Sequence, residues 1–150
     1  MTRGNARELA VHLIYSHSFT GEEPESLVSG RLEKEYYQAL SAENDVYAER
    51  PSRNQVQYLD TVVTGVANHL NELNEQIQKF SIGWDISRIS RLARSIMQLA
   101  IFEICYVEDV PTGVAVSEAV RIAKKYDGND TGSFVNGILG SFARSLSNEE

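Results

Sequence analysis

Only one cysteine, Cys105, occurs in 150 residues. That excludes an intrachain disulfide and fits a reducing compartment. No run of 18 apolar residues exists, so no segment reads as a membrane-spanning helix. The first residues lack the apolar stretch of a secretory leader. His12, His17 and His69 do not fall at the i, i+4 or Cys/His spacing of a zinc site, and read as surface or capping histidines. No glycine-rich loop ending in Lys-Ser/Thr is present to cradle phosphate. Asp127-Gly128-Asn129-Asp130-Thr131-Gly132 has a faint likeness to a calcium loop, but Ile138 stands where a bidentate glutamate is required. Cys105 lies in an apolar run with no base near it in sequence, so it reads as a buried, inert thiol rather than a nucleophile. Nothing in this set supports an enzyme, and no cofactor or metal is expected. Alternating β-branched runs are missing as well, so no strand is expected. The class left is a cytoplasmic, all-helical binding protein.

The charge is uneven. A net charge of −7 argues at first against nucleic acid. Yet residues 21–50 hold eight acids (Glu22, Glu23, Glu25, Glu33, Glu35, Glu43, Asp45, Glu49) against Arg31, Lys34 and Arg50, so this segment carries −5 of the total. The first 20 residues are net positive, with Arg3 and Arg7 against Glu8. A local basic surface on an acidic protein is therefore available.

Apolar periodicity predicts helices throughout. Residues 3–19 form one, with Ala6, Leu9, Ala10, Leu13 and Ile14 as its stripe and Gly21 as its end. Arg3 and Arg7, four apart, stack on one side of it, with Tyr15 near that edge. Glu25–Leu40 forms a second helix, entered through Pro24. Ser41–Pro51 reads as a polar, irregular loop. From Val56 to Phe80 the residues Leu59, Val63, Val66, Leu70, Leu73 and Ile77 keep an unbroken 3-4 spacing, the seam of one long helix. That seam serves a bundle core more readily than a coiled-coil dimer in a chain with so many internal partners. Gly83 interrupts the pattern, and Trp84-Asp85-Ile86-Ser87 reads as a turn with Asp85 as a cap. Arg88–Tyr106 is a deeply buried helix on which Arg88, Arg91 and Arg94 share a side. Two more helices close the chain. Thr112 caps the first, and Val116, Ala119, Val120 and Ala123 form its face. Gly128 stops it in a left-handed conformation, and Asn129, Asp130 and Thr131 offer caps for the last, whose stripe is Phe134, Val135, Ile138, Leu139 and Phe142. Gly132, Gly137 and Gly140 suggest close packing there. Asn148-Glu149-Glu150 reads as a frayed tail. The expected fold is a single all-α domain, a compact bundle of about seven helices in two three-helix groups spanning about 3–80 and 84–146.

A binding role then has to come from surface chemistry. RNA needs cations for phosphates and flat side chains for unstacked bases. Arg3, Arg7 and Tyr15 could offer both, although two arginines and a tyrosine on a helix are more often an ordinary exposed edge. As an exposed residue, Arg7 would tolerate charge reversal without loss of fold.

Two separated stretches sharpen this. One is Ala6-Arg7-Glu8-Leu9-Ala10-Val11 with Tyr15. The other runs from Val110-Pro111 through Val114-Ala115-Val116-Ser117-Glu118-Ala119-Val120 and Ala123-Lys124-Lys125-Tyr126 to Phe134-Val135-Asn136-Gly137-Ile138-Leu139. Arg88-Ile89-Ser90-Arg91 and Leu99-Ala100-Ile101-Phe102-Glu103-Ile104 fall between them in order. Together they resemble the NusB family of bacterial transcription antitermination factors, over almost the whole chain apart from roughly 21–54. The resemblance implies an all-helical fold and no catalysis. It implies binding of boxA-type single-stranded RNA of ribosomal RNA leaders together with NusE, the small-subunit ribosomal protein, in a complex with NusA, NusG and RNA polymerase. It places Arg3, Arg7, Tyr15, Asp130 and Phe134 at the RNA, and Ala93 with Arg94 at the NusE contact, Ala93 standing where the family can carry an acid. Many members carry a denser arginine run at the start than the two arginines here. Two other readings stay open: a helical homodimeric interaction module built on the Val56–Phe80 seam, and the RNA-binding domain of an RNA cytosine methyltransferase without its catalytic part.

Overall fold

The computed structural model describes residues 1–83 and 85–148, which leaves Trp84 and the expected tail at Glu149-Glu150 outside. Among the described residues there are eight α-helices, two 3-10 turns and no strand. The helices are α1 (Arg3–Thr20), α2 (Pro24–Arg31), α3 (Lys34–Leu40), α4 (Arg53–Asn68), α5 (Leu70–Phe80), α6 (Arg91–Tyr106), α7 (Thr112–Asp127) and α8 (Asn129–Asn148). The chain divides into two compact units, Met1–Asn68 and His69–Glu150, with four helices in each. The boundary lies upstream of the Phe80–Trp84 position expected from the pattern.

The all-α class is as read from the sequence. The helix count rises because two expected helices are each broken in two. Leu32 and Glu33 interrupt 25–40. The Glu33 backbone is extended (φ −55°, ψ 130°), and its carboxylate accepts the N–H groups of Glu35 and Tyr36 at 3.2 and 2.9 Å. An acid inside the apparent helix is thus the cap of a new one. The long seam breaks at His69 (φ −117°, ψ 20°), whose ring lies 5.9 and 4.5 Å from those of Phe102 and Tyr106. Leu59, Val63, Val66, Leu73 and Ile77 are all buried within the chain itself, while Leu70 is exposed. A coiled-coil dimer along one continuous helix therefore has no seam to use.

In the first unit α1 is the centre, with α2, α4 and the 3-10 turn Asp45–Ala48 packed on it. Every residue from Ala6 to Val11 is buried. A helix covered on all sides is a core helix, not a surface one. Gly21 ends it with φ 63°, its N–H bonded to the His17 carbonyl. The segment expected as a loop is tied down from inside. Val46 and Tyr47 are buried, and the Tyr47 hydroxyl accepts from Arg31 at 2.9 Å and lies 3.0 Å from His12 Nδ1. Arg31 also donates to Ser16 at 2.8 Å. Tyr37 donates its hydroxyl to the Glu49 carbonyl at 2.6 Å, and burial, helped by Tyr47, pushes its pKa up to about 12. These bonds hold the acidic stretch to the core while all eight of its carboxylates stay exposed.

In the second unit α6 plays the central part, buried at every position from Ser95 to Glu103, with α5, α7 and α8 against it. Cys105, expected to be buried, is exposed instead, because it falls in the last turn of α6, beyond the covered stretch. Arg88 does not belong to this helix. It sits in the 3-10 turn Ile86–Arg88, capped by Asp85, and Ser90 opens α6 by accepting the Ala93 N–H at 3.1 Å. The expected arginine row is thereby interrupted. Thr112 is the first residue of α7 rather than its cap; Pro111 precedes it without a side-chain bond. Gly128 stops α7 with φ 93° and ψ 176°, and α8 starts at the next residue. Only four residues on, a Cβ at Gly132 would lie 2.5 Å from Lys124 Cγ, so any larger residue there would have to push the exposed Lys124 side chain aside. Gly137 meets nothing nearby and a Cβ at Gly140 would meet only the tip of Arg144 at 3.3 Å, so of the expected glycines it is Gly132 that lies against the preceding helix.

Gly128 occupies a region of backbone space that is essentially closed to other residues. Gly128→Ala is expected to cost about 1–3 kcal/mol, read as a lowered denaturation midpoint; an unchanged midpoint would show that the break relaxes without strain. Glu33 gives a pH test. The Tyr36 and Glu35 N–H groups hold its carboxyl below the usual glutamate range. A lowered folded pKa means the cap contributes above the unfolded value and is lost as pH falls through the folded one. Hydrogen exchange at the amides of Glu35 and Tyr36 should therefore speed up below about pH 4.3 relative to its intrinsic rate, and Glu33→Ala should remove that dependence.

Candidate nucleic-acid interface

The residues expected to bind fall into two sets, one in each unit. In the first unit Arg3 is exposed in the first turn of α1, behind Thr2, which accepts the Asn5 N–H at 3.0 Å. Tyr15 is half-buried, and its ring meets that of Phe19 edge-on at 4.9 Å. Phe19 itself is 59% exposed. Arg7 departs from expectation. It is only 8% exposed, next to Glu8 at 1%. The cause is the position of α1 at the middle of its unit: four-residue spacing puts Arg3 and Arg7 on one side, but Arg7 falls in the stretch from Ala6 to Val11 that is buried throughout, and Arg3 lies before it. The available cationic edge of α1 is Arg3.

In the second unit, the turn between α7 and α8 and the segment leading into α6 enclose a cavity of about 230 Å³. Its lining consists of Arg88, Ile89, Ser90, Ala93, Asp127, Asp130, Thr131 and Phe134. Asp130 and Phe134, expected at RNA, and Ala93, expected at a protein partner, are thus brought into one pocket. Arg94, the other partner candidate, does not line it. It is half-buried, and its Nε is enclosed without a hydrogen-bond partner.

The pocket has an apolar floor and a charged mouth. Ile89 and Ala93 are buried, and Phe134 is half-buried. Arg88, Asp127 and Asp130 are exposed. Thr131 donates its hydroxyl to Asp127 Oδ2 at 3.0 Å, which fixes that carboxylate across the Gly128 break. Below Arg88, the Ser87 N–H holds the Asp85 carboxyl under the usual aspartate range. Such a site can take a flat ring against Phe134 while meeting hydrogen-bond donors and an anion at its rim. Sequence reasoning did not single out Ser90, Asp127 and Thr131 for binding, and Arg88 entered it only as one of a row of three arginines that reads as a solvated face more readily than a binding one. The available hint was order: Arg88-Ile89-Ser90 immediately precedes Ala93, and Asp127 and Thr131 flank the Gly128 stop.

The chain matches the NusB family over residues 4–144. The transcription antitermination protein NusB of Acetivibrio thermocellus is 39% identical over 144 residues, covering 96% of this chain and 90% of the relative. The protein of the same name from Symbiobacterium thermophilum is 34% identical over 146 residues, covering 97% of this chain and 92% of the relative. Among solved structures, T. maritima NusB superposes with a TM-score of 0.76 at 25% identity, over 96% of this chain and 92% of that one. A chain from a crystal structure of the antitermination factors NusB and NusE with dsRNA is similar in fold, with a TM-score of 0.74 at 22% identity, over 95% of this chain and 96% of that one.

The contrast between Arg3 and Arg7 is measurable. Arg7→Glu places a second acid beside a buried one and is expected to cost about 3–5 kcal/mol, the usual penalty for an uncompensated buried charge. Arg3→Glu should change stability by no more than about 0.5 kcal/mol. Thermal melts followed by circular dichroism would separate the two, and equal melts would mean that Arg7 is not structural.

Proposed function

Since the chain belongs to the NusB family, we propose that it is a cytoplasmic RNA-binding transcription antitermination factor that takes boxA-type single-stranded RNA together with NusE, and acts with NusA, NusG and RNA polymerase. The observation that carries this reading is the pocket beside the Gly128 turn, where Asp130, Phe134 and Ala93 meet. Arg3 and Tyr15 of α1 supply a phosphate contact and a stacking face in the same role, while Arg7 supports α1 from within. Of the two residues expected at the protein partner, half-buried Arg94 takes that contact, while Ala93, buried at 2%, lines the pocket.

Charge explains why two proteins would be needed. The chain is acidic, −7 overall, and burial of Arg7 leaves Arg3 as the exposed arginine of α1. Each phosphate contact to single-stranded nucleic acid adds roughly 0.7 to the slope of log affinity against log salt. One or two such contacts give weak binding. A basic ribosomal protein docked on an acidic one supplies the missing cations to a joint surface, and complementary charge speeds the encounter.

Fluorescence anisotropy of a boxA-type RNA should therefore show weak binding to the isolated chain, and much tighter binding with a steeper salt dependence once NusE is added. Equal affinity with and without NusE would overturn the two-protein reading. Arg3→Glu should weaken binding of the mixture at constant fold.

A further inference from the structure

We propose that the pocket between the Gly128 turn and the start of α6 is a guanine subsite, in which the Asp127 carboxylate receives the Watson–Crick edge of one unstacked guanine and Arg88 receives its phosphate. This rests on the RNA-binding reading above and adds the base and the residues that select it.

Size comes first. The cavity of about 230 Å³ is smaller than the roughly 300–1,000 Å³ of sites for drug-sized ligands. It suits one ring system, not two stacked bases. Phe134 gives a π-face, and the buried Ile89 and Ala93 give an apolar floor. Ala93 matters through its smallness, since a longer side chain at this position would fill the floor.

The polar groups then choose the base. Asp127 presents oxygens only, and the Thr131 hydroxyl at 3.0 Å sets its orientation before any ligand arrives. Guanine offers two parallel donors, N1–H and the 2-amino group, to such a carboxylate. Adenine and cytosine each offer an amino group beside a ring nitrogen lone pair, which a carboxylate oxygen repels. Uracil offers a single N–H between two carbonyls. Guanine is thus the one common base that satisfies a carboxylate with both contacts. Asp130 adds a second acceptor at the same mouth.

The mixed charge of the rim favours a nucleotide over a partner's basic side chain. A guanidinium or ammonium could also sit on Phe134 and pair with Asp127, but it would face the exposed Arg88 in the same pocket. A nucleotide brings a neutral donor edge for the carboxylates and an anion for Arg88, so both signs are met at once.

The test uses the full chain and mononucleotides, followed by the backbone amide resonances of Asp127–Phe134. Guanosine monophosphate should shift these resonances, and inosine monophosphate, which lacks the 2-amino group, should bind roughly tenfold more weakly. Adenosine, cytidine and uridine monophosphates should be weaker still. Asp127→Asn, at an exposed position, should erase the difference between guanosine and inosine monophosphates, and Thr131→Val should reduce it by leaving Asp127 unanchored. Equal binding of guanosine and uridine monophosphates would overturn the proposal. So would resonances that respond to acetyl-arginine amide and to no nucleotide, which would make the pocket a seat for a basic partner side chain. A parallel titration with boxA-type RNA and NusE separates the two claims: RNA binding without guanine preference sinks the subsite alone, whereas loss of RNA binding with guanosine monophosphate still bound sinks the function and leaves the subsite.

Discussion

The turn at Gly128 is the constraint on which the second unit depends. With φ 93° and ψ 176° the chain changes direction within one residue, so α7 ends at Asp127 and α8 begins at Asn129. A longer connection would separate those ends. Here they stay close enough for Thr131 to bond Asp127, and for Gly132 to pass against the stem of Lys124. The pocket follows from the same tightness. Asp127 comes from the end of one helix, Asp130, Thr131 and Phe134 from the first turns of the next, and Ser90 and Ala93 from the capped start of α6. None of these residues has a special chemistry alone. Their juxtaposition is a product of one glycine and one serine cap.

Burial organises the rest. Each unit is built on a helix whose middle is covered on all sides, α1 in one and α6 in the other. Core helices of this sort gain stability from packing rather than from propensity, and they can hide charge that would sit in water on a surface helix. Glu8, at 1% exposed, and Glu103, at 0%, are such hidden acids. The acidic stretch of the first unit shows the opposite arrangement. Tyr37, Tyr47 and Arg31 anchor it from below, so its carboxylates can remain on the outside without the segment losing order.

This distinction explains what was legible in the sequence. Helix type, the Gly21 and Gly128 stops and the buried stripe of α6 could all be read, because period and glycine are local signals. The pairing of Asp130 with Phe134 was reached through family resemblance, and the cavity that joins them to Ala93 was not visible. Its walls come from segments far apart in the chain, and spacing carries no information about distance between segments. Arg7 failed for a related reason. Helical arithmetic fixes the angle at which a side chain leaves the axis, but not what waits at that angle. Breaks within a strong apolar pattern were equally hidden: Glu33 looks like an interior helix acid until its carboxylate is seen capping α3, and the seam from Val56 to Phe80 stays in phase across His69 although the helix does not.

Charge placement links these points to function. An acidic protein that holds a polyanion must confine attraction to small areas and keep its other acids away from them. Burying Arg7 removes a cation from the surface of α1, which leaves Arg3 there; in the other unit Arg88 stands at the mouth of the pocket. On the proposed reading, a few cations of this kind fix register along a nucleic-acid strand but supply little affinity. Selection then has to come from groups that read a base, and a carboxylate is suited to that in a way an arginine is not. It adds no attraction for phosphate, so it penalises every nucleotide whose edge lacks donors to answer it. On the proposed reading, Asp127 and Asp130 stand where a sequence reader concerned with overall charge would least expect RNA, and their cost to the wrong base would make the position useful.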